Sequence, residues 1–135
     1  MSDNGRNPLR WKCDKDGCFN EEKRPKIEEF AECLPGKIAF SDIDAITEIN
    51  GKFLLLEWKS YAGSIPLGQK IMFERMTDNG KFSVFIIKGN AKTMKVDSMS
   101  VVWKGKVGNF NETNLEGLKE RISKWAEWAK AAATK

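Results

Sequence analysis

Apolar and polar positions along the chain change period several times, and each change predicts an element. In "EEKRPKIEEFAECLPG", Ile27, Phe30, Ala31 and Leu34 recur at helical spacing, and Pro35-Gly36 stops the run. "KIAF" (37–40) reads as a short strand. Two strand-like runs then flank Asn50-Gly51, the strongest short hairpin signal. "SIPLGQKIMFERMTDNG" predicts a helix, with Ser64 as its cap, Pro66 in its first turn and Asn79-Gly80 ending it. "KFSVFIIKG" is apolar on both alternating faces, as a central strand covered on each side would be. "KVDSMSVVWKGK" puts Met99, Val101 and Trp103 on one side, which suits a strand nearer an edge. The final run carries Leu115, Leu118, Ile122, Trp125 and Ala129 on one stripe, behind a capping box of Thr113 and Glu116. Trp125 and Trp128 on it read as core or interface residues. The order of elements predicts an α/β fold, a mixed sheet flanked by helices.

The hairpin fixes a register. With Asn50 and Gly51 at the centre of a type I′ turn, Ile49 faces Lys52, Glu48 faces Phe53, and Ala45 faces Leu56. Counting on, Asp44 lands opposite Glu57, and Asp42 opposite Lys59. Side chains alternate with period two, so all four charged groups share one face at the open end of the hairpin. Opposed carboxylates on a sheet have Cβ atoms about 5 Å apart and repel. A divalent cation offsets that repulsion, and Mg²⁺ is commonly held by one or two carboxylates with water and phosphate completing the shell.

Composition narrows the chemistry. The chain has 135 residues, 41% hydrophobic and 31% charged, which fits a single domain over 1–135, with 1–20 an irregular polar arm. Its net charge of +4 leans toward an anionic partner. The absence of histidine excludes His-dependent triads and His-ligated zinc, and no Gly-rich phosphate loop occurs. Cys13, Cys18 and Cys33 are odd in number; reduced thiols are expected rather than a zinc site. "MSDNGRNPLR" lacks the apolar region of a signal peptide, and no run is long enough to span a bilayer, so a cytoplasmic protein with no membrane partner is expected.

An Asp on one strand followed by Glu57-Trp58-Lys59 on the next resembles the PD-(D/E)xK phosphodiesterase superfamily. The acid of that motif maps onto Asp44, its (D/E)xK onto Glu57, Trp58 and Lys59, and a Gln early in the following helix onto Gln69. The likeness covers roughly residues 26–89 as an α-β-β-α-β order and is nearest to small, stand-alone, often phage-borne members. The Pro of the motif's name is missing: Ser41 precedes Asp42 and Ile43 precedes Asp44. Two Asp residues therefore compete. Asp44 has the direct partner across the hairpin; Asp42 would then orient Lys59 or a water. The C-terminal strand and helix lie outside the shared core.

The resemblance implies a restriction-endonuclease-like core and a Mg²⁺-dependent DNA endonuclease, with Mn²⁺ able to substitute. Asp44, Glu57 and the Trp58 carbonyl would hold the metal, and Lys59 and Gln69 would complete the catalytic set. Lys59 would orient the nucleophile and neutralise charge on the phosphate. Ser64, at the start of the helix after the motif, would receive a backbone phosphate. Lys70, Arg75 and Lys88, with Lys92, Lys95, Lys104 and Lys106, would form a basic track. No groove-reading element is evident, so recognition by shape is expected over base sequence. Cutting both strands of a duplex needs two sites, which a homodimer would supply. The alternative is a catalytically inactive nucleic-acid-binding or interaction module on the same fold.

Overall fold

In the computed structural model, which describes residues 25–60 and 64–132, Asn50 and Gly51 adopt φ of 56° and 81°. Two successive positive φ values are what a type I′ turn demands. The turn joins β1 (Ala45–Ile49) to β2 (Lys52–Lys59), and the ladder runs from Ile49–Lys52 to Ala45–Leu56, each rung as counted from the turn. The ladder ends there. Asp44 and Asp42 precede β1 rather than lying within it.

The chain divides into two compact units, Met1–Ser41 and Asp42–Lys135. In the first, the predicted helix is a 3₁₀ helix over Ile27–Cys33 that ends at Leu34 and buries none of its residues. Its apolar spacing thus marks no core-facing stripe, with Ile27 and Phe30 both exposed. The strand expected at 37–40 does not form: Ile38 and Phe40 are exposed and belong to no ladder. Cys33 is an exposed free thiol, while Cys13, Cys18 and the arm at 1–20 lie outside the described residues.

The second unit is built on a six-stranded mixed sheet. After β2 come helix α1 (Leu67–Thr77), β3 (Phe82–Asn90), β4 (Lys95–Trp103), the two-residue strands β5 (Lys106–Val107) and β6 (Asn111–Glu112), and helix α2 (Leu115–Ala131). The sheet order is β1-β2-β3-β4-β5, with β6 also on β4. β2 and β3 are parallel and joined through α1; the remaining pairs are antiparallel. Ser83 to Ile87 are all buried, which confirms β3 as the central strand.

Alternation sorts the side chains into two layers. Leu55, Val84, Ile86 and Val102 pack with Phe73 of α1 on one face. Leu54, Phe85, Ile87, Val96 and Met99 pack with Leu118, Trp125 and Ala129 of α2 on the other. Each fully buried Leu, Ile, Val or Phe contributes roughly 1.5–3 kcal/mol. Val96 and Met99 share a layer despite their odd separation, because the β3–β4 register shifts at Lys88/Gly89 and Asp97 has no partner in the ladder.

Both helix starts differ from expectation. Pro66 occupies the N-cap of α1 with no side-chain hydrogen bond, so Ser64 is not its cap. Asn114, not Thr113, caps α2, its Oδ1 accepting the Gly117 N–H at 2.8 Å. The short strands β5 and β6 leave no pattern in the sequence. Among the described residues, no helix is long and apolar enough to cross a membrane.

Candidate active site

β2 carries both chemical groups of the motif on its α1 face. Glu57 aligns with Ile86, and Lys59 with Lys88, along the parallel β2–β3 pair. Glu57 is only 8% exposed, an unusual position for a carboxylate. Its Oε2 accepts from Gln69 Nε2 at 2.9 Å and lies 3.2 Å from Lys59 Nζ. Gln69 reaches it from the first turn of α1, which the parallel crossover sets down beside the end of β2. Both contacts fall on Oε2, and Oε1 is in neither. The side-chain oxygen of Gln69, Oε1, is buried with no hydrogen-bond partner.

Backbone parity brings a third donor to this end of the hairpin. The Phe53 N–H bonds Lys81 O at 2.8 Å on the β3 side, so the odd-numbered residues of β2 turn their peptide groups toward β3. Even-numbered ones turn both N–H and C=O toward β1. At Trp58 the ladder has ended, and its N–H donates to Asp44 Oδ2 at 2.7 Å. The Asp44 carboxylate thus stands where the carbonyl of residue 43 would be if the ladder continued. The Trp58 carbonyl points to that same edge, while its indole packs on the α2 side.

Two sets of contacts thus lie at the end of β2: Glu57 with Lys59 and Gln69 on the α1 face, and Asp44 on the Trp58 N–H at the β1 edge, beyond the last rung of the ladder. Their environments differ: Asp44 is exposed and Glu57 buried. Asp42 is exposed and outside the ladder, so the rung that would set it opposite Lys59 does not form. Among the described residues, no group of three or more His, Cys, Asp or Glu side chains could hold a metal ion. Any cation here would rest on two carboxylates, the Trp58 carbonyl and water.

The basic residues divide between sites. Lys70 is paired with Glu74 at 2.9 Å, one turn on along α1. Arg75 lies toward the other end of α1, in a shallow cavity with Glu74, Asp78 and Gly105. Lys88 stands on the Glu57 face with its Nζ 4.2 Å from the centroid of Phe110, a cation–π contact that sequence spacing gave no means of finding. Lys104 lies instead against Trp103, whose ring belongs to the α2 face. Ser64 is exposed before α1. The residues expected to form one basic track thus serve both faces of the sheet.

The second unit is a mixed sheet with a helix on each face, an α/β architecture. Comparison of the chain with protein-family models, with curated proteins and with solved structures finds no match to any of them.

Proposed function

We propose that the chain is a metal-dependent phosphodiesterase with a restriction-endonuclease-like core, a nuclease of the PD-(D/E)xK kind that acts on DNA. The observation that carries this reading is the buried Glu57 carboxylate, held through one oxygen by Lys59 and Gln69 at the end of a parallel strand. A carboxylate that served packing alone would have both oxygens closed off by partners, whereas Glu57 Oε1 is not among the buried unpartnered atoms and is open to a ligand. Here Oε1 stays out of both contacts.

These donors fit a hard divalent cation. Carboxylate and carbonyl oxygens suit Mg²⁺ or Mn²⁺, and thiolate or imidazole ligands are absent from the cluster. When bound, such a cation lowers the pKa of coordinated water and offsets charge on phosphate oxygens. The chain's own groups have separate tasks. Asp44 Oδ1, Glu57 Oε1 and the Trp58 carbonyl would hold the ion. Lys59, as an ammonium on the rim of the cluster, would meet the scissile phosphate and neutralise charge that develops there. Gln69 fixes the Glu57 rotamer through its Nε2, and its unpartnered Oε1 is an acceptor for a water or a nucleophile proton.

The test is cleavage of supercoiled and linear DNA with Mg²⁺, with Mn²⁺ and with EDTA. Metal-dependent cleavage should fall at least a hundredfold in Glu57→Ala and Lys59→Ala. Metal-independent cleavage, or DNA binding with no turnover in either metal, would overturn the proposal.

A further inference from the structure

The opposite face of the sheet holds a cavity of about 310 Å³ between α2 and strands β3 and β4. This is near the lower end of the roughly 300–1,000 Å³ typical of ligand pockets. Its walls are aromatic: Phe85, Trp103, Trp125 and Trp128, with Ser83 and Arg121 as polar members. On α2, Arg121, Trp125 and Trp128 follow at i, i+4 and i+7, so one helix face delivers all three. Trp103 and Trp128 meet edge to face, with centroids 5.4 Å apart at 89°. That arrangement leaves the broad face of one ring uncovered by the other.

Two features point to an occupant. Trp125 is 7% exposed, yet its Nε1–H is buried without an acceptor. Buried indole N–H groups normally find a partner, and this one, on a residue that lines the cavity, has none. Charge supplies the second feature. The lining includes the Arg121 cation and no Asp or Glu, and Lys52 Nζ and Lys104 Nζ stand 5.6 Å from the Trp128 and Trp103 centroids. A planar ring that carries an acceptor atom and is followed by an anion matches this set. A nucleobase with its phosphate is such a group.

We infer that the pocket binds an unstacked nucleobase, stacked on Trp128 or Trp103, with a base acceptor on Trp125 Nε1–H and the attached phosphate near Lys52, Lys104 and Arg121. Aromatic platforms beside cations are how proteins hold single strands without reading sequence. Duplex DNA keeps its bases stacked and cannot fill the pocket. The site lies on the α2 face, away from Glu57, and does not depend on the phosphodiesterase reading.

Fluorescence anisotropy of a labelled oligothymidylate against the full chain, in EDTA, tests this apart from any cleavage. The expected result is saturable binding, competed by unlabelled single strand and not by duplex. Trp128→Ala, at an already exposed ring, should weaken binding about tenfold. Trp125→Phe keeps the packing and removes the donor, and should weaken it about fivefold with an unchanged far-ultraviolet spectrum. Competition by thymidine monophosphate as strong as by the oligonucleotide would assign the pocket to a free nucleotide of the same chemistry. No binding, equal competition by duplex, or wild-type affinity in both variants would overturn the inference.

Discussion

Replacing Lys59 by methionine keeps most of the aliphatic stem and removes the ammonium 3.2 Å from Glu57 Oε2. The side chains of the pair are 19% and 11% exposed, so it is neither a surface bridge nor a fully interior one. Exposed pairs contribute about 0–1 kcal/mol, whereas breaking a buried pair costs about 3–5 kcal/mol by stranding the other charge. Partial exposure puts the expected loss near 2 kcal/mol. At about 4–8 °C per kcal/mol for a unit of this size, Tm should fall by about 8–16 °C in EDTA.

Two further measurements isolate the cause. In a Glu57→Gln background no anion remains to be stranded, so Lys59→Met should then cost little. The cycle gives the coupling energy directly. Adding Mg²⁺ to the Lys59→Met variant should restore stability, because a cation at the carboxylates replaces the missing ammonium. At a hundredfold excess over Kd, binding supplies about 2.7 kcal/mol, enough to offset the loss. Thermal unfolding followed by circular dichroism reads all of these. An equal loss in both backgrounds would show that the ammonium does not act through Glu57. No Mg²⁺-dependent shift in wild type or variant would refute the cation site.

The turn and the bulge give two more expectations. Asn50 Nδ2 donates to Ala129 O at 3.2 Å and Ala132 O at 2.5 Å, tying the β1–β2 turn to the end of α2. Asn50→Gly should lose about 1–3 kcal/mol with those bonds, and Asn50→Ala about 1–2 kcal/mol more for a Cβ at positive φ, both read from urea midpoints. Equal midpoints for the two variants would contradict the left-handed turn. A Cβ on Gly89 would collide with the carbonyl oxygen of Lys95, so Gly89→Ala should cost upwards of about 2 kcal/mol in the same assay. An unchanged midpoint would mean that β3 and β4 do not approach there as described.

Much of the sheet was legible because two periodic signals agreed. Asn50-Gly51 set the register, and the alternation of Leu54 and Leu55 between the α2 and α1 layers left no room for a slip. The uninterrupted apolar run of β3 likewise had only one place to go. What sequence did not reveal was where a ladder stops. Asp44 leaves β1 because its own carboxylate competes for the Trp58 N–H, a local choice that hydrophobic pattern does not encode. The cap of α2 failed for a similar reason: Thr113 and Asn114 are both good capping residues, and the backbone gave the position to Asn114. β5 and β6 are two residues each, too short to show a period. Gln69 was found from resemblance alone; only the crossover explains why a residue twelve positions after Glu57 touches it.

The geometry also changes the reason for expecting a metal. An acid pair facing across a hairpin was to be made tolerable by a bound cation. Yet Asp44 already receives the Trp58 N–H, and Glu57 already receives Lys59 and Gln69, so the repulsion is offset within the chain. The fold has no need of an ion. The proposed ion would instead use oxygens left outside these contacts: Asp44 Oδ1, Glu57 Oε1 and the Trp58 carbonyl. The burial of Glu57 fixes one ligand on the rigid parallel pair, while Asp44 remains on the exposed approach to an edge strand. If the proposed site binds a hard cation, one fixed and one adjustable carboxylate would let it take up and release the ion without unfolding. Such behaviour would distinguish it from structural metal centres, whose binding energy is folding energy.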